Sequence, residues 1–181
     1  MVVIEVCTRP TREHTALGTD EVLCVGAIST ATDASFMCLE GRVEAAVIRQ
    51  CWDLYERCQH DGMRIVGFGL FEDALPLLVH RSWRLGLSIP RSVVDLSTRP
   101  PRWNPLFIDL REVWQLGTRR KASWNAMALA METGRRSFDP ATFYKTWDTN
   151  RNLAMKRLKT TVRQPAEWCR LIKLEEMKGK T

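Results

Sequence analysis

Residues 67–86 read GFGLFEDALPLLVHRSWRLG. The glycines at 67 and 69 end a short buried run, RIVGFG (64–69), and an amphipathic segment from Asp73 to Gly86 opens behind them. A strand passing through a glycine loop into a helix is the joint from which α/β domains are built. Two carboxylates, Glu72 and Asp73, sit at this joint. At the start of a helix they either complement the positive end of its dipole or hold a metal ion.

Upstream, VVIEVC (2–7) is a β-branched run suited to a buried strand. A polar loop broken by Pro10 and Gly18 separates it from EVLCVGAIST (21–30), and ASFMCLEG (34–41) follows a short turn. These three runs predict an antiparallel meander. From Arg42 to Cys58 the apolar positions Val43, Val47, Cys51, Leu54, Tyr55 and Cys58 recur at helical spacing, and HDG (60–62) stops the helix. Downstream, residues 93–105 are set among Pro90, Pro100, Pro101 and Pro105 and predict a loop leading to a short strand, LFIDL (106–110). KASWNAMALAMETG (121–134) predicts a helix with Ser123 as N-cap and Gly134 as stop. A further helix starts near Asp139-Pro140 and runs through Tyr144, Trp147, Asp148 and Leu153 towards Val162. Pro165 is expected to interrupt it, leaving a short C-terminal helix over Ala166–Met177 and a frayed tail. The expectation is one α/β domain over residues 1–164 and a C-terminal helix and tail over 165–181.

Composition narrows the classes. The 181 residues are 45% hydrophobic and 27% charged, as in ordinary globular proteins. No run of eighteen apolar residues and no basic-then-apolar leader is present, which predicts a cytoplasmic protein without a membrane span. Six cysteines (7, 24, 38, 51, 58 and 169) without a C-x-x-C pair predict buried, reduced thiols, and the three histidines do not join them in a zinc pattern. The net charge of +6 is uneven: from Leu110 onwards 16 Lys and Arg face 7 Asp and Glu, giving +9, and the remainder, 11 against 14, gives −3. A cationic second half with interleaved Trp114, Trp124, Trp147 and Trp168 fits an acidic partner, nucleic acid by default. Such tryptophans are nevertheless more often core or interface anchors than stacking platforms.

The element order carries Val3-Ile4-Glu5 in the first strand, Gly69 to Pro76 at the joint, Ile108-Asp109-Leu110 in a later strand and Tyr144-Lys145-Thr146-Trp147-Asp148 in a late helix. With these residues the chain resembles the 3′–5′ exonucleases of the ribonuclease H-like fold, the DEDD group in its Y-x-x-x-D subtype. More narrowly it resembles stand-alone proteins related to the proofreading domain of family B DNA polymerases, over about residues 1–160. The resemblance implies a central mixed sheet flanked by helices. It also implies two-metal hydrolysis, in which four carboxylates hold two divalent ions roughly 4 Å apart.

Where that family has D-x-E, this chain has Val3 and Glu5; where it has N-G-x-x-F-D-L-P, this chain has Gly69 for the asparagine and Ala74 for the aspartate. Leu75-Pro76, Leu78, Arg81 and Gly86 keep the register. Glu5, Tyr144 and Asp148 match, so Glu5 and Asp148 are the implied metal ligands and Tyr144 the residue that places the water. Asp73 stands one residue early, about 100° round a helix, and would need a local adjustment to replace the missing ligand.

Losing two of four acids implies a degenerate exonuclease, without a cofactor, serving as a nucleic-acid-binding or scaffolding subunit of a larger assembly. Two alternatives stand beside it: an active Mg²⁺- or Mn²⁺-dependent 3′–5′ exonuclease using Asp73, and a purely protein-binding module. Without metals Glu5 and Asp148 would repel, and a neighbouring Lys, Arg or proton is expected to compensate. The leading candidates for contact with DNA or RNA, as single strands or 3′ ends, are Arg119, Arg120, Lys121, Arg135 and Arg136, followed by Lys156, Arg157 and Lys159.

Overall fold

The computed structural model describes residues 1–11, 20–31, 35–94, 106–115, 122–134 and 136–173. Strands β1 (Val2–Arg9), β2 (Glu21–Ser29) and β3 (Phe36–Glu40) form the expected antiparallel meander. β4 (Ile65–Gly67) and β5 (Phe107–Asp109) add in parallel, giving the order β3-β2-β1-β4-β5. β1 is therefore central and pairs on both sides. A register shift after Cys7 sets Thr8 opposite Val22, so Leu23 forms a bulge.

Both faces of the sheet are covered. α1 (Glu44–His60) and α2 (Leu75–Arg84) cover one core, which holds Ile4, Val25, Ile48, Leu78 and Phe107. α5 (Trp124–Ala130), α6 (Phe143–Thr149) and α7 (Arg151–Leu171) cover the other, which holds Val3, Cys7, Trp124, Leu158 and Trp168. Successive strand residues point to opposite faces, so Val2 and Ile4 enter the first core while Val3, Glu5 and Cys7 face the second. Trp124 and Trp147 are buried there, so both are core anchors; Trp114 is partly exposed. Two short helices that the sequence pattern did not reveal are α3 (Arg91–Val94), before the segment 95–105, and α4 (Leu110–Gln115), directly after β5. The described cysteines are all free thiols. Burial raises the thiol pKa of Cys7, Cys51 and Cys58, that of Cys51 to about 12. Among the described residues no helix is long and apolar enough to cross a membrane.

Two expectations change at the C-terminal end. The helix beginning at Asp139-Pro140 is not continuous: a 3₁₀ turn (Pro140–Thr142) leads into α6, and the chain breaks at Asn150. The Asn150 side chain accepts the Leu153 N–H at 3.0 Å and so caps α7. Pro165, conversely, does not break the helix; α7 runs through it. A proline inside a helix costs about 3 kcal/mol. Trp168, Ala166 and Cys169 are buried just beyond it, and a fully buried large side chain returns about 1.5–3 kcal/mol. Trp168 also donates its indole N–H to Thr133 Oγ1 at 2.7 Å. Packing outweighs the lost hydrogen bond.

α7 lies close over β2 because Gly26 has no side chain. A Cβ there would sit 2.8 Å from Leu158 Cδ1 and Cγ. Gly26→Ala is expected to lower the unfolding free energy by about 1–3 kcal/mol in urea titrations, the usual penalty for overpacking. An unchanged midpoint would contradict this packing.

Candidate functional site

The site is assembled where β1, β4 and β5 end. Glu5 projects from β1 on the same face as Val3 and is buried, with 8% of its surface accessible. Its carboxylate is bonded by the Arg136 guanidinium. Arg136 in turn lies over the Trp124 ring, Cζ 4.5 Å from the centroid, and over Phe138 at 5.4 Å. Burial first of all raises the Glu5 pKa above its ordinary value of 4.5; Arg136 opposes this, and the charge of Asp73 adds to it.

The joint between β4 and α2 is a π-helical turn, Leu70–Ala74. Its N-cap Gly69 has φ 76°, and both the Asp73 and Ala74 N–H groups point at the Gly69 carbonyl, at 2.9 and 3.4 Å. A π turn holds one residue more than an α turn, and this is the local adjustment that Asp73 would need. Asp73 acts through its charge on Glu5, raising the pKa of Glu5 slightly further. It is not free, however: Arg111 bridges Asp73 Oδ2 and Glu72 Oε2, both at 2.9 Å. Arg111 also lies over Phe68, Cζ 5.1 Å from the centroid. Burial works against the charge on Arg111, but Asp73, Asp109 and Glu72 together hold its pKa above the ordinary arginine value.

Asp109 fixes this geometry. Only 2% exposed, it accepts the backbone N–H groups of Gly69 (2.8 Å), Phe71 (3.0 Å) and Arg111 (2.9 Å). One carboxylate at the end of β5 thus ties down the turn that carries Glu72 and Asp73 and the residue that bridges them. Gly69 is required at the crossing point, because a Cβ there would meet the Arg111 guanidinium and lie 2.5 Å from Asp73 Oδ2.

Tyr144 and Asp148 lie one turn apart on α6, as the Y-x-x-x-D spacing demands. Tyr144 packs half-buried against the second core. Asp148 is held by Arg9 at 2.5 Å, and Arg9 also binds Glu21 at 2.9 Å. Arg9 lies four residues beyond Glu5 on β1, about 13 Å along the strand.

The two positions that lack an acid have become structural. Val3 is fully buried, at 0% exposure, within the second core. Ala74 is packed against the first. Arg81, at the arginine position of the resemblance, forms a two-pronged ion pair with Glu44, with Nε to Oε1 at 2.7 Å, and so joins α2 to α1. Among the described residues no group of three or more His, Cys, Asp or Glu side chains is placed to hold a metal ion. The donor set does not fit a pair of divalent cations: Glu5 and Asp148, the two implied metal ligands, are each occupied by a guanidinium. Of the expected basic residues, Arg136 is the partner of Glu5. Arg119, Arg120, Lys121 and Arg135 lie outside the described residues. Arg157 is half-buried and donates to Thr146 Oγ1 at 3.3 Å; Lys156 and Lys159 are exposed. Sequence reasoning missed Arg9 and Arg111 as site residues. Their signals were the alternation Val3, Glu5, Cys7, Arg9 and the placing of Arg111 two residues after Asp109.

No protein-family model and no curated protein matches the sequence. The structure is similar to that of the family B DNA polymerase from the hyperthermophilic archaeon Pyrobaculum calidifontis, with a TM-score of 0.70 and 19% identity. The match covers 94% of this chain and 24% of the polymerase, so the chain spans about a quarter of that protein's length. The fold is accordingly α/β and ribonuclease H-like, with a mixed five-stranded sheet between helices.

Because the folded protein holds the Glu5 proton more tightly than the unfolded chain, the contribution of Glu5 to stability is complete below pH 4.5 and is lost as pH rises through its folded titration. The carboxyl carbon of Glu5, followed by NMR, is expected to titrate above 4.5, and at higher pH still in Arg136→Gln. A midpoint at or below 4.5 would show that the pair is not buried as described.

Proposed function

We propose that the chain is a 3′–5′ exonuclease-like domain that has lost catalysis and serves as a nucleic-acid-binding or scaffolding subunit of a larger assembly. One observation carries this reading: Glu5, Asp73 and Asp148 are each paired with an arginine, Arg136, Arg111 and Arg9 respectively. A guanidinium supplies a single positive charge and N–H donors. It can neutralise a carboxylate but cannot activate water as a divalent cation does. The fold supports the exonuclease-like part of the proposal, and the cationic second half supports the nucleic-acid part. No divalent cofactor is needed for this role.

A second reading, an active enzyme in which Asp73 replaces the missing ligand, is favoured by the π turn that carries Asp73 and by the action of its charge on Glu5. It would require Arg111 and Arg136 to withdraw and leaves Val3 without a substitute. Incubation of the protein with Mn²⁺ and a 5′-labelled single-stranded oligonucleotide separates the two. The expected result is no shortening above background, with the same result for Glu5→Ala and Asp148→Ala. Shortening by the wild type that both variants abolish would establish the enzyme.

A further inference from the structure

α7 is 21 residues long and has two unlike sides. Ala154, Leu158, Thr161, Val162, Pro165, Trp168 and Cys169 face the sheet and are buried. On the opposite side Lys156, Lys159, Arg163 and Arg170 are exposed. At about 100° per residue these four lie within an arc of about 60°, and at about 1.5 Å per residue they extend over about 21 Å. None of their side chains has a hydrogen-bond or ion-pair partner among the described residues. The only acid in the helix, Glu167, forms no ion pair there. The other two cations of α7 are engaged: Arg151 with Glu40 at 2.6 Å and, stacked at 3.3 Å, with Trp147, and Arg157 with Thr146.

From this row we infer that the outer face of α7, and not the former active site, is the surface that contacts the sugar–phosphate backbone of a nucleic acid. The inference rests on the nucleic-acid reading proposed above and gives it a location. Among the described residues of the former site three guanidiniums face six carboxylates, those of Glu5, Glu21, Glu72, Asp73, Asp109 and Asp148, so a phosphate there meets net negative charge. Along this side of α7 four cations outweigh the one carboxylate, Glu167, and repel one another; a polyanion relieves that repulsion while releasing its own counterions. A nucleic-acid strand carries a phosphate about every 3.4 Å along a duplex axis, so the row spans about six of them. A membrane surface fits less well: none of the four positions in the row is apolar, and the main apolar side of the helix is covered by the sheet, with only Leu153 and Leu171 of its large apolar side chains exposed.

The test uses the full chain and a fluorescein-labelled thirty-nucleotide oligo(dT), followed by fluorescence anisotropy at increasing salt. The quadruple variant Lys156→Gln, Lys159→Gln, Arg163→Gln, Arg170→Gln is expected to bind at least about tenfold more weakly and to lose about 3 from the log–log salt slope. Swapping the same four residues Lys for Arg and Arg for Lys should retain binding within about twofold, and circular dichroism should show all variants folded. A control with the same change in net charge, Arg42→Gln, Arg49→Gln, Arg57→Gln, Arg84→Gln, alters exposed positions on or next to the helices of the opposite face. It should lose less than about threefold. If the wild type binds and the α7 variant matches it in affinity and slope, the α7 surface is wrong and the nucleic-acid reading stands. If the wild type does not bind oligo(dT), or binds poly-glutamate equally well, the nucleic-acid reading fails and this inference with it.

Discussion

A carboxylate held on the inner face of a central strand must have a counter-charge, and Glu5 is such a group. Removing one partner from a buried ion pair costs about 3–5 kcal/mol, so whatever neutralises Glu5 becomes part of the fold. In a two-metal nuclease that counter-charge is a divalent ion, recruited by several acids together. Here it is Arg136, seated on Trp124 and Phe138 and covalently part of the chain. A tethered guanidinium needs no second acid beside it. Val3 can therefore be a core residue, contributing about 1.5–3 kcal/mol by its burial where an aspartate would bring a further charge to be paid for.

The same pairing of carboxylate with guanidinium recurs at each end of the site. Arg111 bridges Glu72 and Asp73, and Arg9 bridges Asp148 and Glu21. These pairs do not hold the site in place by themselves. Asp109, with three backbone N–H groups on its carboxylate, fixes the π turn, and Gly69 leaves room for the Arg111–Asp73 contact. The result is an arrangement in which the joint is tied to Asp109 and its acids are met by Arg111. Cationic side chains line the far side of α7, where none of the four has an ion-pair partner among the described residues.

Much of the sheet was legible because strand signals are local: VVIEVC, EVLCVGAIST and LFIDL carry their β-branched and apolar character in a few consecutive residues. Helix ends were harder. Pro165 is a breaker by propensity, and only the burial of Trp168 and Cys169 beyond it decides otherwise; that is tertiary information. The stop at Asn150 was readable in principle, since asparagine is a preferred N-cap, but the apolar period runs on through Leu153 and hides it. The absence of acids at Val3 and Ala74 was visible as plain residue identity. The identity of their replacements was not, because Arg9, Arg111 and Arg136 come from three distant parts of the chain. The π turn was equally hidden: it adds one residue to a helical turn without changing composition.

The central claim is that arginines occupy the electrostatic place of the divalent ions. Crystals soaked in Mn²⁺ and measured at a wavelength that reveals its anomalous scattering address it directly. The expected map has no manganese peak among Glu5, Asp73 and Asp148, and each carboxylate keeps its guanidinium. A peak within about 2.3 Å of Glu5 and Asp73, with Arg136 and Arg111 swung away, would contradict it.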